Sequence, residues 1–178
     1  MEVLGLRWQD LDLEAAGRAS IAQTVIVVGG YEVQFSEPKT ARGSRMVALD
    51  PQTVETLREH RERQMLERSL MGDAYVDNDL VFAKEDGTWI HPDGFSDLFW
   101  RHTKEAKLPR IRFHDLRHTH ATLALAAGVH PKVVSERLGH ASITITLDTY
   151  SHAIPAMQET AASLVAALVF NAPPTGTC

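Results

Sequence analysis

Four short segments of this sequence carry side chains that could do chemistry together. They are His114-Asp115-Leu116-Arg117, Leu138-Gly139-His140, Tyr150 within Thr149-Tyr150-Ser151-His152, and Lys39 within Pro38-Lys39-Thr40. Tyrosine can serve as a covalent nucleophile. Arginine grips phosphate oxygens with a fixed fork of donors. Histidine exchanges protons near neutral pH. Opening a phosphodiester without a metal needs such a set: a nucleophile, an acid for the leaving oxygen, and donors for the equatorial oxygens, all held in line. Each piece alone is commonplace, since a lone His-x-x-Arg usually sits on a solvated face; the combination within one helical half, with a lysine on a hairpin turn, points to phosphoryl transfer. Zinc is not expected. His114 and His118 are four apart, but Asp115 stands where the zinc-peptidase pattern has glutamate, and no cysteine is nearby.

The elements that must position these groups can be read from periodicity. Glu2 to Trp8 reads as the end of a helix, apolar at helical spacing. Thr24 to Phe35 reads as a hairpin: Val25 to Val28, a Gly29-Gly30 turn, then Tyr31, Val33 and Phe35 alternating with polar residues. A third strand follows with Arg45, Val47 and Leu49 on one side, joined by the turn Lys39-Thr40-Ala41-Arg42-Gly43, which makes an antiparallel meander. Asp50-Pro51 starts a helix expected to reach about Leu70. Leu80-Val81-Phe82 reads as a short strand and Asp93 to Lys104 as a helix. From His114 the chain reads as consecutive helices, stopped by Gly128 and Gly139 and started near Pro131 and Ser142. On the first of them His114 and Arg117 share a face, and Leu116 is expected to face the core. Ile154, Met157, Ala161, Leu164, Val165 and Leu168 form an apolar stripe, read first as core and second as an element exchanged between protomers. Asn171 to Cys178, with two prolines, a glycine and no periodicity, is expected to be disordered.

Composition sets the class. The 178 residues are 44% hydrophobic and 23% charged, which excludes a disordered chain and suits one domain with a sizeable core. The one cysteine, Cys178, is the last residue, so no intrachain disulfide can form and a reducing, cytoplasmic setting is expected. The apolar run Ala161 to Phe170 is too short to span a bilayer, and Met1-Glu2-Val3 lacks a secretory pattern. The net charge of −5 argues mildly against a nucleic-acid partner. Its distribution reverses that argument. Between Arg101 and Arg137 eight basic residues face three acidic ones, a local balance of +5, and Lys39, Arg42 and Arg45 form a second cluster. Such a chain can present one basic face to a polyanion.

With these residues assembled, the sequence resembles the tyrosine recombinases of the phage-integrase family. The matching pieces are Glu-Val-Leu-Gly-Leu-Arg-Trp near the start, Pro38-Lys39-Thr40 before Arg45-Met46-Val47-Ala48-Leu49, His114-Asp115-Leu116-Arg117-His118-Thr119, Leu138-Gly139-His140, and Tyr150. They run from Glu2 to about Pro155, with residues 55–108 matching loosely. The resemblance implies an α+β fold, a mostly helical catalytic domain over residues 1–170 with a small three-stranded antiparallel meander near its start. It implies site-specific DNA recombination, integration or excision, through a 3′-phosphotyrosine. Tyr150 would attack the scissile phosphate, Arg117 clamp it, and His140 donate to a non-bridging oxygen. His114 would accept the tyrosine's proton or position it, and Lys39 would protonate the 5′-oxygen. DNA contacts are expected from Arg42, Arg45, Arg110, Arg112 and Lys132. The implied partners are double-stranded DNA and further copies of the protein in a tetrameric synapse. Neither a small-molecule cofactor, ATP nor an obligatory metal is implied, and no membrane.

The sequence departs from the family in one respect. By register the family's first clamping arginine would fall before Met1, and nothing in this sequence matches the family's separate DNA-gripping helical domain. The chain therefore reads as a C-terminal catalytic fragment, expected to be weak or inactive in strand cleavage by itself. Two rival readings remain open here, a type IB topoisomerase-like relaxing enzyme and a non-catalytic DNA-binding remnant of an integrase.

Overall fold

A computed structural model describes residues 1–30, 32–36, 44–150 and 155–170. The chain divides into two compact units, residues 1–113 and residues 114 onward.

The first unit opens on two 3₁₀ turns, Val3–Gly5 and Trp8–Asp10, where a helix end was expected. Leu4 and Gly5 are buried there, so the apolar residues are used for packing without completing an α-turn. Five strands follow: β1 (Leu11–Asp12), β2 (Arg18–Ile21), β3 (Thr24–Val28), β4 (Glu32–Ser36) and β5 (Arg45–Ala48). β3 and β4 form the expected hairpin, with Val27 opposite Val33. Gly29 and Gly30 turn it at φ of 62° and 84°, backbone that side chains with a Cβ rarely adopt.

The expected meander is corrected. β5 pairs with β2, Ala19 opposite Val47, and the three-stranded antiparallel sheet runs β1-β2-β5 while the hairpin stands as a separate two-stranded sheet. β2 reads Arg-Ala-Ser-Ile and turns only Ala19 fully inward, too faint an alternation to announce a strand. Mostly helical with small antiparallel sheets, the fold class itself is as expected. The turn Lys39 to Gly43 and Tyr31 lie outside the described residues.

Helix α1 (Pro51–Met71) starts as its sequence demands. Asp50 Oδ1 accepts from the amides of Gln52 and Thr53 at 3.1 and 3.0 Å, and Pro51 supplies a pre-set first turn. Its Val54 and Leu57 pack with Leu13 and Val81, flanked by Leu6 and Trp8. Trp8 donates to Gln64 Oε1 at 2.6 Å, and Gln64 in turn donates to the Leu80 carbonyl at 3.1 Å. The strand expected at Leu80 is a single antiparallel bridge to Arg7. Helix α2 (Pro92–Glu105) brings Phe95 and Phe99 edge-on to Phe113 at 4.9 and 5.4 Å.

The second unit is helical: α3 (Asp115–Ala126), α4 (Pro131–Leu138), α5 (Ile143–Thr149) and α6 (Pro155–Phe170). Its core is Ala121 and Leu125 of α3, Val134 and Leu138 of α4, and the ring of Tyr150. Leu125 is fully buried, so Leu125→Ala is expected to cost about 2–5 kcal/mol of stability, measured by denaturant unfolding. Two readings of this unit are corrected. Leu116 is 41% exposed, because α3 buries the stripe of Ala121 and Leu125 and leaves Leu116 off it. Leu164, Val165 and Leu168 of α6 are 61%, 59% and 75% exposed, so that part of the stripe is not core. α6 is apolar on more than one side, and a single covered face could not bury all of it. Ile154, Ser151, His152 and the tail from Asn171 lie outside the described residues. Among the described residues no helix is long and apolar enough to cross a membrane.

Candidate active site

The site in the second unit is built on three helix ends. α3 begins at Asp115 with His114 as its N-cap residue, so Arg117 and His118 lie in its first turn, where helical hydrogen bonding fixes the backbone. α4 ends at Leu138, and Gly139 reverses the chain in left-handed conformation, φ 71°. His140 leaves that reversal with its amide bonded to the Ser135 carbonyl at 3.0 Å. α5 ends at Thr149, and Tyr150 caps it, donating its amide to the Thr146 carbonyl at 3.0 Å.

Side chains tie these ends together. The Arg117 guanidinium donates to the carbonyl of Leu138, which fastens the start of α3 to the end of α4. His140 Nδ1 meets the fully buried Thr146 Oγ1 at 2.8 Å, fastening the α4 end to α5. His118 Nδ1 lies 2.9 Å from the Tyr150 hydroxyl, with the rings tilted at centroids 5.8 Å apart, fastening α5 back to α3. The ring of His114 stands edge-on to that of His118 at 5.2 Å.

Tyr150 is 2% exposed. Burial pushes its phenol above the usual tyrosine range, and the positive charge of Arg117 opposes that shift. Beside it runs an open groove of about 530 Å³, lined by Asp115, His118, Thr119, Thr149 and Tyr150 among others. The phenol thus sits neutral, hydrogen-bonded and at the wall of a cleft.

Of the expected site residues, Arg117, His140 and Tyr150 join this network, and His114 adjoins it through His118. Lys39 and Arg42 lie outside the described residues. Arg45, in the first unit, makes a two-pronged pair with Glu2 at 2.8 Å on each arm, its side chain only 12% exposed. Arg110 and Arg112 are exposed, and Lys132 is exposed and paired with Glu136 at 3.1 Å. Sequence reasoning missed His118 and Thr146. The signal for His118 lies in its four-residue spacing from His114, which places the two rings on one helix face. Thr146 carried no signal, because nothing in an Ile-Thr-Ile-Thr run marks which hydroxyl turns inward.

Residues 1–157 match the phage integrase family. The chain belongs to that family. It is 35% identical over 164 residues to a tyrosine recombinase XerC-like protein of Caldanaerobacter subterraneus subsp. tengcongensis, covering 86% of this chain and 42% of that protein. To the ICEBs1 integrase of Bacillus subtilis strain 168 it is 29% identical, covering 89% of this chain and 42% of the relative. This integrase-family chain therefore spans about two-fifths of the length of these relatives. Among solved structures, the Tn1549 transposon integrase in complex with circular intermediate DNA superposes with a TM-score of 0.74 at 23% identity, over 92% of this chain and 54% of that one. The site-specific recombinase XerH, in a post-cleavage complex with a palindromic difH substrate, gives a TM-score of 0.59 at 29% identity, over 91% of this chain and 40% of that one. The fold is that of the tyrosine recombinase catalytic domain.

Proposed function

We propose that this chain is the catalytic part of a site-specific DNA recombinase that integrates or excises DNA through a 3′-phosphotyrosine. The observation that carries the reading is the closed ring of contacts joining Arg117, Leu138, His140, Thr146, Tyr150 and His118 within one unit. It gathers a phenol, a guanidinium and imidazoles, the groups a metal-independent phosphoryl transfer uses.

In this reading Tyr150 Oη attacks the scissile phosphorus, and the bond to the 5′-oxygen breaks. Arg117 stabilises the equatorial oxygens. A guanidinium presents five N–H donors in a fixed fork that matches phosphate oxygens. His140 donates to a non-bridging oxygen, exchanging Thr146 for phosphate. Lys39 protonates the departing 5′-oxygen. The energy of the cut bond stays in the phosphotyrosine, and a 5′-hydroxyl from the partner strand reverses the step. The buried phenol is a resting position; substrate binding has to uncover Tyr150 toward the open groove beside it before phosphate reaches the hydroxyl. Arg110, Arg112 and Lys132 offer cations for the DNA backbone, together with Arg42, whereas Arg45 would first have to give up Glu2. The exposed apolar surface of α6 suits docking on a neighbouring copy in the DNA-bound synapse.

Relatives named as an integrase and as a transposase favour this over a relaxing topoisomerase. The test is covalent capture by the full-length protein that carries this chain, since the chain by itself is expected to cleave weakly or not at all: a nicked duplex library with a randomised core should yield a denaturation-resistant DNA adduct whose peptide map places the phosphate on Tyr150. An adduct on another residue, or none, overturns the reading. Binding to the same duplexes should weaken steeply with salt, about 1,000-fold between 50 and 200 mM if some six phosphates are contacted, read by fluorescence anisotropy. A flat salt response would rule out the basic face.

A further inference from the structure

We infer that His118 holds the hydroxyl of Tyr150 in place and takes its proton as the phenol attacks phosphate. The inference rests on the recombinase reading above. It gives the proton a destination other than the His114 expected from sequence.

Geometry carries the argument. His118 Nδ1 stands 2.9 Å from Oη, inside the range a general base needs. His114 is one ring further out, edge-on to His118 at 5.2 Å. His118 is also well anchored, in the first turn of α3 immediately after Arg117, so the base and the phosphate clamp share one rigid stretch of backbone. The phenol ring is equally fixed, packed against Ala121, Leu125, Val134 and Leu138. The groove is lined by both His118 and Tyr150.

The need for a base follows from the same burial. A phenol held neutral by its surroundings cannot shed its proton beforehand, so the proton must leave as the ester forms. With Nδ1 unprotonated, Tyr150 donates to it. The Oη–H bond breaks toward His118 Nδ1, Oη–P forms, P–O5′ breaks, and the electron pair on the 5′-oxygen collects a proton from the general acid assigned to Lys39. On rejoining, the imidazolium returns its proton to the phenolate. The charged and titratable groups around this proton are His114 at the N-cap of α3, Asp115 and Arg117 in its first turn, Tyr150 at the end of α5, and His140, reached through Thr146. Against α3, α4 brings Arg137, which donates to His120 Nε2 at 3.0 Å.

Two measurements test the assignment. Nitrogen-15 NMR of the chain should show His118 as the tautomer with Nδ1 unprotonated, and Tyr150→Phe should shift that resonance. Single-turnover capture by the full-length protein on the nicked duplex library should then be followed against pH. His118→Asn places an amide where Nδ1 stood but cannot carry a proton across. It is expected to slow adduct formation about 100-fold or more and to remove the acid limb of the pH profile. His114→Asn should slow capture yet keep that limb. Capture by His118→Asn at the unaltered rate, or with the acid limb intact, overturns the inference while leaving the recombinase reading standing. So does a protonated Nδ1 in the unaltered chain, a result that does not depend on how any variant folds. No adduct from the unaltered full-length protein overturns the recombinase reading, and the proton transfer with it.

Discussion

Tyr150→Phe should abolish covalent DNA capture while leaving the second unit folded. The ring is part of the helical core with Ala121, Leu125, Val134 and Leu138, and phenylalanine preserves that packing. What goes is one oxygen. Without it no phosphate ester can form, so the adduct should fall below detection on any duplex. The stability change should stay within about 1 kcal/mol, because the lost bond to His118 is a single neutral one and His118 is only partly buried, leaving water to replace the phenol. Gel analysis of adducts, paired with denaturant unfolding, separates the two effects. An adduct surviving in Tyr150→Phe would show that a different nucleophile does the work.

Arg117→Lys is the second large effect, and its signature is a split between chemistry and affinity. Lysine keeps the positive charge near the phenol but replaces a planar fork with a single ammonium. If Arg117 stabilises the transition state, capture should slow about 100–1,000-fold. DNA affinity should barely move, since the count of cations is unchanged. The variant should also lose some stability, about 1–3 kcal/mol if the Leu138 carbonyl is left without its donor. Arg117→Ala should show the same slowing with a shallower salt dependence of binding. Equal losses in affinity and rate for Arg117→Lys would make the arginine a DNA-binding residue and no more. Because Arg117 also opposes the upward shift of the Tyr150 phenol, removing its charge should push that phenol higher still, and the pH at which the tyrosine ionises should rise in Arg117→Ala.

Part of this was legible in the residues alone. Gly29-Gly30 between two alternating runs had to be a hairpin turn, and Asp50-Pro51 had to start a helix, because backbone conformation there is local chemistry. Gly139 had to end a helix for the same reason, which put His140 at a chain reversal. The types and order of His114, Arg117, His140 and Tyr150 were enough to suggest phosphoryl transfer, since few reactions use that set.

Other features depended on partners distant in the chain. That β5 lies beside β2, with Val47 opposite the buried Ala19, and not beside the hairpin is a pairing between strands distant in the chain. That Leu116 and much of α6 stay exposed depends on which helix faces find a neighbour, a question of total packing that periodicity does not answer.

Above all, the sequence by itself determined which chemical groups are available and where helices must begin and end. Only the tertiary structure decided that His118, and not His114, meets the phenol, and that this phenol is buried. A hydrogen bond depends on two side chains 32 residues apart arriving within 2.9 Å, and that distance is set by how α3, α4 and α5 pack.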